Sequence, residues 1–249
     1  MGRDMICLKN GKYLAENGEI KRGSIFIEND RIVSIGETNM EEHLCRTFDI
    51  ENKIVIPGFI DIHFHGAIGL DLMYAKPEEI IKISKYLAKT GTTSYLATTI
   101  TSSIEDLEDA VENITTASHQ IVGGAAIEGI HIEGPYISPL KKGCHEPKFM
   151  RAPENRDYDN LKRIVNPLKL HFTVAPEIEK VLDFIDYVNS KGDTISIGHS
   201  DADSLLVKNA LRAGATSFTH LFNAMKGINH REPGVAGTAL LSNAFVELI

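Results

Sequence analysis

A predicted strand that ends in a carboxylate is the feature that most constrains the fold of this chain. It lies in GIHIEGPYISP, residues 129–139, where two isoleucines alternate with His131 and Glu133. On extended backbone this alternation places the two polar side chains on one face. A Gly-Pro pair follows at once, so Glu133 lies at the carboxyl tip of the strand. In parallel α/β barrels, that tip is where catalytic residues are found.

Alternating β and α patterns run from residue 57 to the end of the chain. Apolar or threonine-rich runs typical of buried strands are separated by amphipathic stretches of helical period. The predicted strands are 58–65, 92–99, 125–133, 170–175, 194–199, 216–220 and, in part, 244–249. The predicted helices are 77–90, 104–121, 177–191 and 203–213. Repeated βα units of this kind indicate either a (β/α) barrel or a doubly wound sheet.

Polar residues at the strand ends decide between these two folds. Like Glu133, four histidines end predicted strands: His63 and His65 in DIHFHG, His199 in IGHSDAD and His220 in FTHLFNAM. Such residues on several strands must converge on a central axis, which favours the barrel. A doubly wound sheet usually has a glycine-rich phosphate turn after its first strand, where this chain has HFHG. The predicted fold class is α/β: a metal-dependent (β/α)8-type barrel that is incomplete, with about six to seven strands present.

Residues 1–56 predict a separate β region. Its short strands are predicted at 12–15, 24–28 and 31–35, with turns at Asn10-Gly11, Asn17-Gly18 and Asn29-Asp30. These strands are too few to bury a core of their own. The predicted domains are therefore a small β domain, 1–56, and an incomplete barrel domain, 57–249.

The strand-end residues have the composition of a transition-metal site. His63 and His65 are two residues apart, so both imidazoles face one side of an extended strand. Four histidines and one carboxylate suit Zn²⁺, Fe²⁺, Mn²⁺ or Co²⁺ better than Mg²⁺ or Ca²⁺. A bridging Glu133 between the HxH pair and the two single histidines predicts one or two metal ions per chain. Such ions lower the pKa of water and so generate a nucleophile at neutral pH.

The alternative is that each histidine is an ordinary buried or surface residue. Taken singly, each histidine fits that interpretation; the combination of an HxH strand, a strand-end Glu and two strand-end His argues against it. No partner can be named for His43, His119 and His171, which are interpreted in this ordinary way. His131 shares a face with Glu133, so it either orients a ligand or belongs to the core. Asp61, two residues before His63, is another candidate for orienting a ligand.

Charge and cysteine content argue against several classes of protein. The formal net charge of −8 disfavours nucleic acid or an anionic membrane as the main partner, while allowing a small anionic substrate in a local positive pocket. The 3 cysteines form no CxxC pair, so neither a disulfide scaffold nor a thiolate zinc site is indicated. The sequence shows no secretory signal or membrane-spanning run, so a cytoplasmic location is expected.

Taken together, the motifs resemble the amidohydrolase superfamily and, within it, the family of N-acetylglucosamine-6-phosphate deacetylases. IPGFIDIHFHG, GIHIEGPYISPLKKGCHEP, GHSDAD, THLFNAM and HREPGVAGTAL occur in this order from Val55 onward. The HxH element alone marks only the superfamily, whereas HIEGPY with KGCHEP and THLFNAM with REPG are typical of the deacetylases. Residues 1–56 resemble the N-terminal part of the small β-sandwich that flanks the barrel in such enzymes.

The resemblance implies hydrolysis of the acetamide of N-acetylglucosamine 6-phosphate, which yields glucosamine 6-phosphate and acetate. The implied metal ligands are His63, His65, Glu133, His199 and His220. The implied catalytic residues are Glu133 and His145, and the implied substrate-binding residues are His145, Asn223, Ala224 and Arg231. By the same resemblance, Arg231 binds the substrate phosphate across a homodimer interface.

The chain departs from the family pattern at its C-terminal end. Family members deliver the leaving-group proton through an aspartate at the end of barrel strand eight, and this chain ends within predicted strand seven. We therefore expect a C-terminally truncated deacetylase with impaired turnover and apolar surface exposed at an open sheet edge. One alternative is another amidohydrolase, such as a dihydroorotase- or adenosine-deaminase-like protein, which would lack the REPG arginine element. The other is a non-catalytic fragment that binds metal and sugar phosphate.

Overall fold

The structure, a computed structural model, describes residues 5–36 and 45–249, so the prediction for His43 falls outside the described residues. The chain divides into two compact units, Met1–Gly58 and Phe59–Ile249. Within the described ranges, no helix is long and apolar enough to cross a membrane.

The described part of Met1–Gly58 forms a five-stranded sheet. Its strands are β1 (Met5–Leu14), β2 (Ile20–Glu28), β3 (Arg31–Gly36), β4 (Arg46–Asp49) and β5 (Ile54–Val55). The order is β3-β2-β1-β4, with β5 also paired to β1. The predicted turns at Asn17-Gly18 and Asn29-Asp30 are present. The predicted turn at Asn10-Gly11 is wrong: these residues form a bulge within β1, where Asn10 adopts a positive φ of 58°.

A seven-stranded parallel sheet organises the described residues of Phe59–Ile249. The strands of this unit are β6 (Phe59–Phe64), β7 (Gly66–Ala67), β8 (Leu70–Asp71), β9 (Thr92–Thr99), β10 (Ala126–Glu133), β11 (Lys169–Val174), β12 (Thr194–Ile197), β13 (Ser217–Phe218) and β14 (Phe245–Val246). The sheet order is β14-β13-β12-β11-β10-β9-β6, and β7 and β8 form a separate small hairpin. The sheet is curled and corresponds to an incomplete (β/α)8 barrel, as predicted.

Helices connect successive strands of this sheet. They are α1 (Pro77–Lys89), α2 (Ile104–Ser118), α3 (Asn155–Val165), α4 (Val181–Ser190), α5 (Ser204–Ala213) and α6 (Gly234–Leu240). The Ser103 hydroxyl caps α2 by accepting a hydrogen bond from the backbone N–H of Asp106, and Asp203 caps α5 in the same way. Such connections bring the carboxyl ends of all parallel strands to one rim of the barrel.

Two helices were not predicted from the sequence. The apolar buried face of α3 consists of Tyr158, Leu161 and Val165, and most of its other residues are polar or charged. Helix α6 begins at Gly234 and contains Gly237, and glycine disfavours helix in isolation. Tertiary burial outweighs propensity in α6, where all the residues from Gly234 to Ala239 are buried.

The parallel strands separate apolar from polar side chains. On β10 and β11, Ile130, Ile132 and Phe172 belong to the hydrophobic core cluster that includes helix residues. The alternating polar side chains bond across the strands instead, as His131 does to Thr173, with 2.7 Å between His131 Nε2 and the Thr173 hydroxyl. The barrel lumen is therefore lined by hydrogen-bonding groups.

The edge strands β6 and β14 meet at their carboxyl ends. They share no backbone ladder, yet His63 Nδ1 on β6 lies 3.0 Å from Oε2 of Glu247, the residue after β14. Farther along these edges, apolar side chains are exposed, as expected for an open sheet: Phe59 is 63% exposed and Phe245 is 79% exposed.

Candidate metal centre

Glu133 lies at the centre of five imidazole rings at the carboxyl rim of the barrel. Its carboxylate is at the end of β10, and the residue is 3% exposed. The carboxylate oxygens lie 3.2 Å from the Nε2 atoms of His65, His199 and His220 and 3.4 Å from those of His63 and His145. The structure therefore brings all five predicted metal ligands together, with His145 beside them.

The HxH pair approaches Glu133 from β6. His63 lies on the strand, while His65 is the first residue beyond its end. Their Nε2 atoms are 3.1 Å apart, so the alternation of an extended segment does bring both rings to one side. His65 is the more exposed, with 41% of its side chain open to solvent against 11% for His63.

His199 and His220 each lie two residues beyond a strand and adopt strained backbone conformations. Their φ angles are 47° and 33°, in the left-handed region that side chains with a Cβ disfavour. The backbone around them is held by hydrogen bonds, from the Ser138 N–H to the His199 carbonyl and from the Asn223 N–H to the His220 carbonyl. Local strain of this kind is concentrated at functional sites.

In two histidines, the partner of Nδ1 determines the tautomer. It shows that Nε2, the nitrogen that faces Glu133, carries no proton in the neutral ring. His199 Nδ1 is 2.8 Å from the Lys141 carbonyl oxygen, which only accepts, so Nδ1 carries the hydrogen. His63 Nδ1 likewise faces a carboxylate oxygen of Glu247. In the neutral rings, both Nε2 atoms therefore direct lone pairs towards the oxygens of Glu133.

This convergence of lone pairs fits a bound metal ion. Electron pairs that face one another at 2.9–3.4 Å repel unless a cation lies between them. A tetrahedral ion with bonds of about 2.0–2.2 Å holds its donor atoms roughly 3.3 Å apart, which matches these separations. His63, His65 and Glu133 form one donor set. We take Glu133, His199 and His220 as the other, because the Nε2 atoms of both rings lie 3.2 Å from Glu133 and 2.9 Å from each other.

His145 differs from the other histidines, although its distance alone would admit it as a ligand beside Glu133 and His199. His145 Nδ1 lies 2.7 Å from the Thr101 hydroxyl, which can donate or accept, and 3.3 Å from the Thr101 backbone N–H, which can only donate, so Nδ1 holds the lone pair. The neutral ring then carries its proton on Nε2, the atom that faces Glu133. A nitrogen that carries a proton donates a hydrogen bond and does not ligate a metal, so we assign His145 as a donor.

The pKa shifts also distinguish His145 from the ligand His63. Burial raises the pKa of Glu133, but hydrogen bonds from His145, and from the other surrounding histidines when their Nε2 atoms carry protons, outweigh burial and hold this pKa far below its usual range. Burial lowers the pKa of His63, but hydrogen bonds with Glu133 and Glu247 raise it to about 9. Burial lowers the pKa of His145 despite the neighbouring Glu133. A metal ion must therefore displace a proton from His63, whereas His145 is neutral.

A cavity of about 330 Å³ opens onto this cluster, a size suited to a small ligand. It is lined by His63, His65, Glu133, Gly143, Cys144, His145, His199, His220, Asn223, Ala224 and Ile249. The predicted substrate-binding residues Asn223 and Ala224 thus share one cavity with the metal ligands. Arg231 is exposed outside this set, in a turn where its backbone N–H bonds to the Asn229 side chain.

The remaining acidic candidates have other roles. Asp61 accepts a hydrogen bond from the backbone N–H of His63 and not from its ring. Asp203 caps a helix, and Asp201 forms an ion pair with Lys141 at 3.3 Å. His131 is fully buried and bonds to Thr173, so it belongs to the core network.

Glu247 is the residue that the sequence did not reveal. It follows a short apolar strand at the end of the chain, and nothing in FVELI distinguishes it from an edge glutamate. Its contact with His63 spans 184 positions of sequence and depends on the curl of the sheet.

Comparison with known proteins defines the class. Residues 54–243 match the amidohydrolase family, so the chain belongs to that family. It is 35% identical over 251 residues to the N-acetylglucosamine-6-phosphate deacetylase of Bacillus subtilis (strain 168), covering 99% of this chain and 63% of that protein. It is 33% identical over 198 residues to the N-acetylgalactosamine-6-phosphate deacetylase of Escherichia coli O157:H7, covering 79% of this chain and 52% of that protein.

Solved structures show the same likeness. A variant of the N-acetyl-D-glucosamine-6-phosphate deacetylase of Mycobacterium smegmatis, in complex with N-acetyl-D-glucosamine-6-phosphate, superposes with a TM-score of 0.82 at 28% identity. The alignment covers 100% of this chain and 63% of that one. The chain therefore spans less than two thirds of the length of the relatives it matches.

Proposed function

We propose that this chain carries the metal centre of a deacetylase that hydrolyses the acetamide of N-acetylglucosamine 6-phosphate. The convergence of His63, His65, His199 and His220 on Glu133 carries this proposal, because it supplies the donor set for a divalent metal beside a ligand-sized cavity. The likeness to deacetylases over 99% of the chain supports the choice of substrate.

The proposed cofactor is one or two ions of Zn²⁺, Fe²⁺, Mn²⁺ or Co²⁺, shared through Glu133. When bound, such an ion polarises a carbonyl and lowers the pKa of water. Glu133 and the Nε2 atoms of the other four proposed ligands would hold it, and the Lys141 carbonyl fixes the ring of His199.

His145 is proposed to donate the hydrogen bond that stabilises the developing oxyanion of the acetamide. Its Nε2–H faces the cavity because Thr101 holds Nδ1 as an acceptor. A donor aimed at the carbonyl oxygen is worth about 10²–10³ in rate. The departing amine must also take a proton, and the resemblance assigns that step to an aspartate on an eighth strand, which the seven strands described here do not include.

Asn223, Ala224 and Arg231 are proposed to bind the sugar phosphate. The first two line the cavity, and the exposed Arg231 suits delivery of a guanidinium to phosphate across a homodimer interface. Homodimerisation, this role of Arg231 and a cytoplasmic location all stay predictions.

Acetate release tests the proposal. The metal-loaded chain would be given N-acetylglucosamine 6-phosphate, N-acetylgalactosamine 6-phosphate and unphosphorylated N-acetylglucosamine. We expect the first to be the best substrate and the last to be poor. Arg231→Ala should raise KM for the phosphorylated sugar, whereas Arg212→Ala, an exposed arginine on α5, should leave KM unchanged.

Two alternatives predict different results. An amidohydrolase for a substrate without phosphate would be insensitive to Arg231→Ala and would release no acetate from any of the three sugars. A non-catalytic binding protein would hold metal and N-acetylglucosamine 6-phosphate without acetate release. Either result would overturn the proposed reaction.

A further inference from the structure

Glu247 joins the two groups of proposed ligands through a single oxygen atom. Its Oε2 lies 3.0 Å from His63 Nδ1 and also accepts the backbone N–H of His220 at 3.2 Å. His63 belongs to the HxH pair on β6, and His220 to the pair that follows β12 and β13. From this geometry we propose that Glu247 is a positioning residue that fixes the His63 ring with Nε2 directed at the metal centre. The inference rests on the metal centre of the proposed function.

The hydrogen-bond direction follows from the chemistry of the partners. A carboxylate accepts, so His63 donates from Nδ1 and its neutral ring keeps the lone pair on Nε2. That lone pair points to Glu133, 3.4 Å away. Without Glu247, the ring could carry its proton on either nitrogen and could rotate about its χ2 angle, so fewer molecules would present a ligand.

Glu247 is itself held rigidly. Its backbone N–H donates to the Phe218 carbonyl at 3.0 Å, and its carbonyl accepts the Leu221 N–H at 2.8 Å, which ties it to the segment that carries His220. The residue is 8% exposed, and Oε1 has no hydrogen-bond partner among the described residues. Burying an unpaired oxygen is unfavourable. An apolar residue at this position would avoid that cost, so stability alone does not account for a glutamate.

Removal of Glu247 should weaken metal binding mainly at the HxH pair, His63 and His65. The ring of His65 contacts His63 and Glu133 and is the most exposed of the ligand rings. His199, by contrast, is oriented independently by the Lys141 carbonyl. Removing Glu247 should therefore weaken the metal site of His63 and His65 more than the site of His199 and His220.

Zinc binding to the full chain tests this inference. Zn²⁺ would be titrated against a competing chelator, with metal content read by mass spectrometry, in wild type, Glu247→Leu and Glu247→Gln. We expect Glu247→Leu to weaken one zinc equivalent by about 10–100-fold and leave the other equivalent in place. Glu247→Gln, which keeps an acceptor oxygen for His63, should lose less.

Asp193→Asn is the matched control. Asp193 is also buried and also accepts a backbone N–H, from Leu170, but its other partners are Tyr158 and Lys162, away from the metal centre. Asp193→Asn should lower the melting temperature without changing zinc affinity. If Glu247→Leu lowered only the melting temperature and bound both zinc equivalents like wild type, Glu247 would be merely structural and the inference would be wrong.

Histidine NMR on the wild-type zinc protein gives a second readout that does not depend on a variant that folds. Long-range proton–nitrogen correlations, assigned by loss of signals in His63→Asn, should show His63 protonated at Nδ1 and ligating through Nε2. The opposite tautomer would overturn the inference while leaving the metal centre intact. A wild-type chain that binds no zinc would instead contradict the proposed function itself.

Discussion

The barrel lumen contains two layers of histidines that differ in their hydrogen-bond partners. At the rim, His63, His199 and His220 surround the carboxylate of Glu133. Deeper in the same sheet, His131 and His171 bond to threonine hydroxyls, at 2.7 Å to Thr173 and Thr194 respectively. The candidate ligand histidines therefore differ from the core histidines in their position along the strands and not in residue type.

The partner determines what each imidazole can do. A carboxylate favours the charged ring, so the pKa of His63 rises to about 9 in spite of burial. A hydroxyl offers no such compensation, so burial lowers the pKa of His171 to about 4 and that of His131 well below its ordinary value. The deep layer is therefore neutral and structural, while His63 at the rim binds either a proton or a metal ion.

The largest expected effect follows loss of Glu133. Glu133→Gln removes the negative charge that all the rim histidines share, so we expect metal affinity to fall by more than the roughly 100-fold limit seen for outer partners of a metal site. Metal content after dialysis is the measurement. Full metal retention in Glu133→Gln would show that the carboxylate is not the bridging ligand.

His145 tests whether every rim histidine is a ligand. His145→Leu should lower kcat by about 10²–10³ through loss of the Nε2–H donor, with metal content unchanged. His145→Gln, which retains an N–H near the same position, should recover part of the rate. If His145→Leu lost a metal equivalent, the tautomer assigned from Thr101 would be wrong.

The pH dependence of stability tests the deep layer. In the unfolded chain His171 has an ordinary pKa of 6.5, whereas burial in the folded chain lowers this pKa to about 4. Its contribution to stability is therefore complete above pH 6.5 and is lost as pH falls towards 4, by about 3 kcal/mol in all. His171→Asn, which keeps a partner for Thr194, should remove this component. Urea unfolding at pH 7.5 and pH 5 should show a loss about 2 kcal/mol larger in wild type than in the variant; equal losses would contradict a neutral His171.

The smallest expected effect follows substitution of His131, and the same substitution of His199 at the rim is its comparison. His131→Asn cannot reach Thr173 and leaves that hydroxyl short of a partner, so the free energy of unfolding should fall by about 1–3 kcal/mol. Metal content should stay at the wild-type level, as read in the same preparation. His199→Asn, its counterpart at the rim, should lose metal instead.

The sequence predicts the rim better than the connections around it. His63, His65, His199, His220 and Glu133 could be grouped because each ends a strand, and parallel strands bring such ends together. Helix α3 was missed because few of its residues are apolar, helix α6 because glycine begins it and recurs within it, and the Asn10-Gly11 pair resembles a turn although it forms a bulge. These errors share a cause: tertiary burial overrides local propensity.

The parts of the site that escaped prediction depend on long-range contacts. Glu247 meets His63 only because the sheet curls until β6 and β14 approach. The tautomer of His145 is set by Thr101, 44 positions away, whose backbone N–H has no sequence signature. Sequence can therefore suggest which residues are ligands, but their orientation comes from partners that only the fold brings close.

The most direct test of the metal centre is the metal content of three preparations: wild type, His199→Asn and His131→Asn, each loaded with Zn²⁺ and dialysed. We predict at least one equivalent in wild type and in His131→Asn, and a clear loss in His199→Asn. Equal metal content in the two variants, or none in wild type, would contradict the separation of rim and deep histidines on which the proposed function depends.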